Sequence, residues 1–212
     1  EDCHTAIEEF LTHRLGETGK KVHTARSRND QVLAALRLYE KDALTALSAQ
    51  IQACKTALDS CCKQYENIPL PGYTHMRKAM PTSIDTWLGS FSAALEDDLT
   101  ITEMAASIID RAPLGTAAGF GVPIFEIDRK MTAREMGFAS VIENPMYAQL
   151  SRGKTEGLIL HGCTQCMLDI NRLASDLILF SMPEFGYIRL PEEFCTGSSV
   201  MPQKKNPDVL EL

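Results

Sequence analysis

The chain has 212 residues, 44% hydrophobic and 23% charged; a globular chain of this size forms one domain and buries roughly 70% of its unfolded surface. Its net charge of -7 argues against a general nucleic-acid or membrane-surface binder. No apolar run approaches the roughly 18 residues of a membrane span and no signal peptide is recognised, so a cytoplasmic protein is expected.

Ala6, Ile7, Phe10 and Leu11 share one face at helical spacing, which predicts a short helix over residues 2–15, stopped by Gly16. A polar loop over residues 19–29 follows. From about Asp30 to Tyr65 there is no Gly or Pro. There Val32, Leu36, Tyr39, Ala43, Leu47, Ile51, Cys54, Leu58, Cys61 and Tyr65 recur at steps of three and four, a long amphipathic helix with a heptad-like stripe. About 36 residues at 1.5 Å each give a rod of about 54 Å. One small domain does not cover such a rod, so bundling with other helices or subunits is expected. Pro69, Pro71, Gly72 and Pro81 punctuate a loop over residues 67–81, and a second helix spans residues 83–110, ended by Pro113. Residues 113–123 are glycine-rich but lack the phosphate-loop lysine and a preceding strand pattern, so they read as a turn between helices.

Asp128 caps a short helix reaching Met136, and Asn144-Pro145 opens a further connection. A third long helix is predicted over residues 147–180, containing Gly153, Gly157 and Gly162. Each helical glycine costs about 1 kcal/mol, which suggests close packing there. Pro183, Gly186 and Pro191 lead down to an exposed polar loop over residues 197–207, with Asn206 as N-cap and Pro207 opening a last helix. No stretch alternates with period two for more than a few residues. The prediction is a single all-α domain over residues 1–212, with three long helices carrying polar loops near their ends. The chain starts without Met and stops inside an expected helix, so a piece of a longer protein is expected. Its seven cysteines are an odd number, several within helical runs. Cys163-Thr164-Gln165-Cys166 has no second pair to complete a zinc site, so packed, reduced thiols are expected.

The polar residues cluster at the helix breaks. His23, Thr24, Arg26, Ser27, Arg28 and Asn29 precede the first long helix; Thr74 and His75 precede the second; Ser198, Ser199, Lys204, Lys205 and Asn206 follow the third. Cations among neutral hydrogen-bond donors suit a small polyanion, most simply a dicarboxylate. His75 suits proton transfer near neutrality, and a serine serves where its alkoxide is stabilised. Each group alone has a plain reading, as a structural histidine or a solvated helix entry. The joint pattern at three helix ends points to a site. His4, His13 and His161 have no ligand spacing, and no metal site is expected.

Gly197-Ser198-Ser199-Val200-Met201-Pro202-Gln203-Lys204-Lys205-Asn206-Pro207 resembles the signature loop G-S-S-x-M-P-x-K-x-N-P of the fumarase/aspartase superfamily. His23-Thr24-Ala25-Arg26-Ser27-Arg28-Asn29-Asp30-Gln31-Val32 resembles the H-T-G-R-S-R-N-D-Q-V of its argininosuccinate lyase and delta-crystallin family. Glu1-Asp2-Cys3-His4 is similar to that family's E-D-x-H, and Pro71-Gly72-Tyr73-Thr74-His75 to its P-G-Y-T-H. The resemblance covers essentially the whole chain. It implies a long-helix bundle whose central helices assemble as a homotetramer, with active sites built from loops of three subunits. It also implies cleavage of argininosuccinate to arginine and fumarate by β-elimination, without a cofactor.

Carried over residue by residue, Ser198 and His75 are the catalytic pair. Thr74, Ser27, Arg28 and Asn29 bind substrate, and Lys204 and Asn206 hold the carboxylate and its developing charge. Either member of the pair takes the Cβ proton; the reading adopted has Ser198 as base and His75 as acid or orienting group. Ala25 stands where the family has glycine, and Arg77 and Met80 where it has glutamines. Residues 144–154 lack the acidic residues that would face a cationic arginine end. The alternatives are a paralogue acting on another N-substituted aspartate, and a non-catalytic helical scaffold of the delta-crystallin kind.

Overall fold

A computed structural model describes residues 2–212. Glu1, the first residue of the E-D-x-H resemblance, lies outside the described residues. The helices are α1 (Cys3–Leu15), α2 (Glu17–Lys21), α3 (Arg28–Gln64), α4 (Ile84–Ile109), α5 (Arg129–Glu135), α6 (Pro145–Leu150), α7 (Lys154–Ser181) and α8 (Asp208–Glu211). Three two-stranded ladders lie between them. β1 (Pro69–Thr74) pairs antiparallel with β2 (Arg77–Ser83), β3 (Arg111–Ala112) parallel with β4 (Ser140–Val141), and β5 (Thr196–Gly197) antiparallel with β6 (Lys205–Asn206). The helical class holds, and α3, α4 and α7 are the three long helices. Among the described residues no helix is long and apolar enough to cross a membrane.

The chain forms two compact units, one from the residues up to Leu47 with Thr102–Leu160, the other from Ser48–Ile101 with His161–Leu212. In the first unit, the Asp2 carboxylate caps α1 by accepting the His4 and Thr5 N–H groups at 3.0 Å each. Its core has three parts: Leu33 with Ile142 and Ala148; Leu44 with Ala105 and Ile109; and Ala112 with Ala133, Phe138 and Val141.

The heptad-like stripe needs correcting over its first half. Tyr39 is 71% exposed and Val32 36%, while Asp30, Leu33, Ala34, Arg37, Glu40 and Leu44 are buried. Three of those, Asp30, Arg37 and Glu40, are charged and helical in spacing with the apolar ones, which is why hydrophobicity alone points to the wrong face. Arg37 is fully buried and donates to the Arg111 carbonyl at 2.6 Å and to Ser151 Oγ at 3.2 Å. From Ile51 to Cys61 the predicted stripe faces inward, with Ile51 and Leu58 buried and Cys54 and Cys61 half-buried, while Tyr65 at its end is 41% exposed.

The third helix also starts later than predicted. Asn144 caps α6, accepting from Met146 N–H at 2.9 Å with Pro145 in the first turn, and Gly153 at φ 78° separates α6 from α7. Gly162 alone carries the close-packing argument among these glycines. A Cβ there would sit 3.1 Å from Ile101 Cγ2, whereas Gly157 has open space around it.

In the second unit, the loop expected over residues 67–81 is a hairpin. Thr74 pairs with Arg77, leaving His75 (φ 51°) and Met76 (φ 59°) as a two-residue turn with both residues in the left-handed region, as the favoured hairpin turns require. Its prolines misled the sequence reading. Both strands of a two-stranded ladder are edges, where Pro is tolerated. A Cβ on Gly72 would lie 2.5 Å from the Met80 carbonyl oxygen, so the irregularity between Pro71 and Tyr73 needs glycine.

Ala25 has φ 57°. The position where the resembled family carries glycine is thus one whose backbone favours glycine. Ala25→Gly is expected to raise stability by up to about 1 kcal/mol, the relief of left-handed strain exceeding the added chain entropy. A lower midpoint in urea denaturation would refute this.

Candidate active site

The signature loop is closed at its base by the β5–β6 ladder, where Thr196 pairs with Asn206 and Gly197 with Lys205. The Thr196 hydroxyl donates to the Asp208 carboxylate. Lys205 pairs with Glu192 at 3.6 Å. Asn206 is therefore a ladder residue, not the N-cap expected of it; Pro207 occupies the cap of α8. Above the ladder, Val200 is 83% exposed and Met201 43%. Ser198 Oγ accepts the Met201 N–H at 3.2 Å and the Val200 N–H at 3.4 Å. Two backbone donors on one hydroxyl oxygen favour its ionised form, while its own proton remains available. Lys204 is exposed, and its N–H closes a turn onto the Met201 carbonyl at 2.9 Å. A cavity of about 450 Å³ beside the ladder is lined by Arg189, Glu192, Lys204, Lys205, Asn206 and Glu211 among others. It collects the two predicted carboxylate-holding residues, but Ser198 and His75 do not line it.

Thr74 and His75 sit at the tip of the β1–β2 hairpin, both exposed. The turn that presents the imidazole is the strained one, and such outliers recur at functional sites. No hydrogen bond joins His75 to Ser198 within the chain.

Ser27, Arg28 and Asn29 belong to the first unit and form the entrance to α3. Ser27 Oγ accepts the Asn29 N–H at 3.2 Å, and the Asp30 carboxylate returns to the Ser27 N–H at 2.8 Å. This is a capping box, S-x-x-D. Arg28 points to α1, donating to the Asp2 carboxylate at 2.5 Å and to Thr5 Oγ1 at 2.8 Å. The Thr5 N–H and, with it, the Arg28 guanidinium hold the Asp2 carboxyl below its ordinary range, against an opposing effect of burial. Arg28 thus anchors the loop that carries Ser27 and Asn29.

A profile of the family described as lyase matches residues 1–212, the whole chain. The chain belongs to this lyase family. It is 57% identical over 212 residues to the argininosuccinate lyase of Thermotoga neapolitana, a match covering 100% of this chain and 53% of that protein. It is 51% identical over 212 residues to the argininosuccinate lyase of Sorangium cellulosum, covering 100% and 49%. The chain therefore spans about half the length of the curated relatives it matches. Among solved structures it is similar to EDDS lyase in complex with formate, with TM-score 0.91 and 27% identity over 96% of this chain and 41% of that one.

Two features of this lyase chain escaped the motif reading. Asp30 lies within the resembled stretch, with no role assigned to it there, and is fully buried. Its second oxygen accepts the Gly115 and Ala117 N–H groups at 2.9 Å each, so the glycine-rich loop over residues 113–123 is wrapped around it. The signal was present as an acid three residues after Ser27. Arg152, in the divergent stretch 144–154, donates to Asn29 Oδ1 at 3.4 Å and to Gln149 Oε1 at 3.3 Å. No sequence spacing links positions 29 and 152. The Cys163-x-x-Cys166 pair lies within α7, where burial first, then the neighbouring Asp98, pushes the Cys166 thiol to about 11, so it stays protonated at neutral pH.

Proposed function

We propose that the protein containing this chain cleaves argininosuccinate to arginine and fumarate by β-elimination. The observation that carries the reading is the 57% identity to an argininosuccinate lyase across the entire chain, with the signature loop intact.

Ser198 Oγ, as the alkoxide stabilised by the Val200 and Met201 N–H groups and by Lys204, takes the Cβ proton of the succinyl moiety. The electron pair left behind is delocalised onto the adjacent carboxylate, whose growing charge Lys204 and Asn206 hold. The C–N bond then breaks, its electrons pass to the guanidino nitrogen, and His75 supplies the proton with which arginine departs. Thr74, Ser27 and Asn29 bind the remaining polar groups, with Arg28 fixing their loop. No cofactor enters the balance. The partner is the small-molecule substrate, in a cytoplasmic homotetramer whose sites draw loops from several subunits. Support for assembly comes from the apolar side chains left outward on long helices, such as Tyr39 at 71%, Met104 at 49% and Met167 at 61% exposed.

The substitutions at Arg77, Met80 and 144–154 favour testing a second substrate. The intact protein is assayed for fumarate absorbance with argininosuccinate and with adenylosuccinate. Fumarate from argininosuccinate alone is the expected result. Release only from adenylosuccinate would move the protein to a paralogous lyase, and release from neither would favour a delta-crystallin-like scaffold.

A further inference from the structure

Tyr73 is the residue before Thr74-His75 in β1. Its hydroxyl meets that of Tyr187 at 2.6 Å, across 114 positions of sequence. Tyr187 lies on the segment that descends from α7 towards the Ser198 loop. That segment is itself fixed. The Tyr187 and Ile188 N–H groups both donate to the Phe180 carbonyl, at 3.0 and 3.2 Å, and Phe180 is buried in the last turn of α7.

Around the two hydroxyls the rings pack edge to face. Tyr73 meets Phe185 with centroids 5.8 Å apart, and Phe180 meets Trp87 at 5.3 Å. The Trp87 indole N–H donates to the Asp176 carboxylate at 2.9 Å, tying α4 to α7. At the tip, by contrast, Thr74, His75 and Met76 are all exposed, and the turn that joins the strands is strained. The orientation of the tip must therefore be set from its root.

We propose that the Tyr73–Tyr187 hydroxyl pair is a positioning clasp that ties the hairpin to the segment after α7, fixing how its tip presents Thr74 and His75 to the reacting site, and so sets the rate of the chemical step. The inference rests on His75 being a group of the reacting site. The tyrosines themselves exchange no proton with substrate. The Tyr187 hydrogen bond and burial hold the Tyr73 hydroxyl above its ordinary range, so it is a fixed hydrogen-bonding group at neutral pH.

The test removes the hydroxyls and keeps the rings. In the intact protein, Tyr187→Phe and Tyr73→Phe are each expected to lower kcat for fumarate release by about tenfold, since small displacements of a reacting group are costly. KM should rise by no more than about threefold, because Thr74 is one of several groups that bind the ground state. The double variant should fall no further than either single one, because both remove the same bond. A purely packing role predicts unchanged kcat in both phenylalanine variants, with loss only in Tyr187→Ala and in step with Tm. Unchanged kcat, or additive losses in the double variant, would overturn the clasp. His75→Asn runs beside them. If it is inactive while Tyr187→Phe is normal, the clasp alone fails; if it retains normal kcat, the catalytic reading of His75 fails and the clasp with it.

Discussion

Replacing Ser198 with alanine in the intact protein should lower kcat for fumarate release by about 10²–10⁴-fold, the usual contribution of a positioned acid–base group. The expectation comes from what the hydroxyl is doing in the loop. Its oxygen is the acceptor for two backbone N–H groups, of Val200 and Met201, and the loop that makes this arrangement is open to solvent rather than built into the core. A serine packed for structure alone would be buried among partners that its loss would strand. Here alanine leaves two N–H groups that water satisfies, so stability should change by less than about 0.5 kcal/mol. KM should move little, since Lys204 and Asn206 and not Ser198 are assigned to the ionised carboxylate. Stopped assays by fumarate absorbance, with circular dichroism and thermal melts as controls, give the comparison. Turnover within threefold of the natural protein, with an unchanged melt, would remove Ser198 from the role of base.

The parts of the fold that the sequence announced are those governed by local chemistry. Asp128 caps α5 as expected, because a short polar side chain precedes a run of helix formers. The length of α3 follows from the absence of Gly and Pro between Asp30 and Tyr65. What stayed hidden depends on partners distant in sequence. The buried face of early α3 contains Arg37, whose acceptors are at positions 111 and 151, so no window around residue 37 identifies it as interior. The hairpin that carries His75 was obscured by three prolines, which only its two-stranded context makes harmless. The candidate site divides in the same way. The residue types of the signature loop and of the α3 entrance were legible as motifs. The donors to Ser198 Oγ, the Tyr73–Tyr187 contact and the approach of Arg152 to Asn29 are properties of the folded chain.

Asp30→Ala should be the most destabilising single change among the polar positions, by about 4 kcal/mol or more. Asp30 is 0% exposed and accepts three backbone N–H groups, from Ser27, Gly115 and Ala117. Alanine strands all three in a site closed to water, and each buried unsatisfied donor costs about 1–3 kcal/mol. The three donors belong to two segments, the start of α3 and the glycine-rich loop, so the carboxylate is what joins them. Asp30→Asn separates geometry from charge. Its amide keeps one acceptor oxygen but turns an NH₂ group towards at least one of the same N–H groups, so an intermediate loss of about 2–3 kcal/mol is expected. The neighbouring Arg129, which donates to the Leu114 and Ile142 carbonyls, loses a counter-charge in both variants. Asp42→Ala, on an exposed position of α3, should stay within about 0.5 kcal/mol and serves as the control for simple charge removal. Urea denaturation of the three variants gives the ranking. Equal midpoints for Asp30→Ala and Asp42→Ala would mean that the glycine-rich loop finds other acceptors. In that case the α3 entrance, with Ser27 and Asn29 on it, would not depend on Asp30 for its shape.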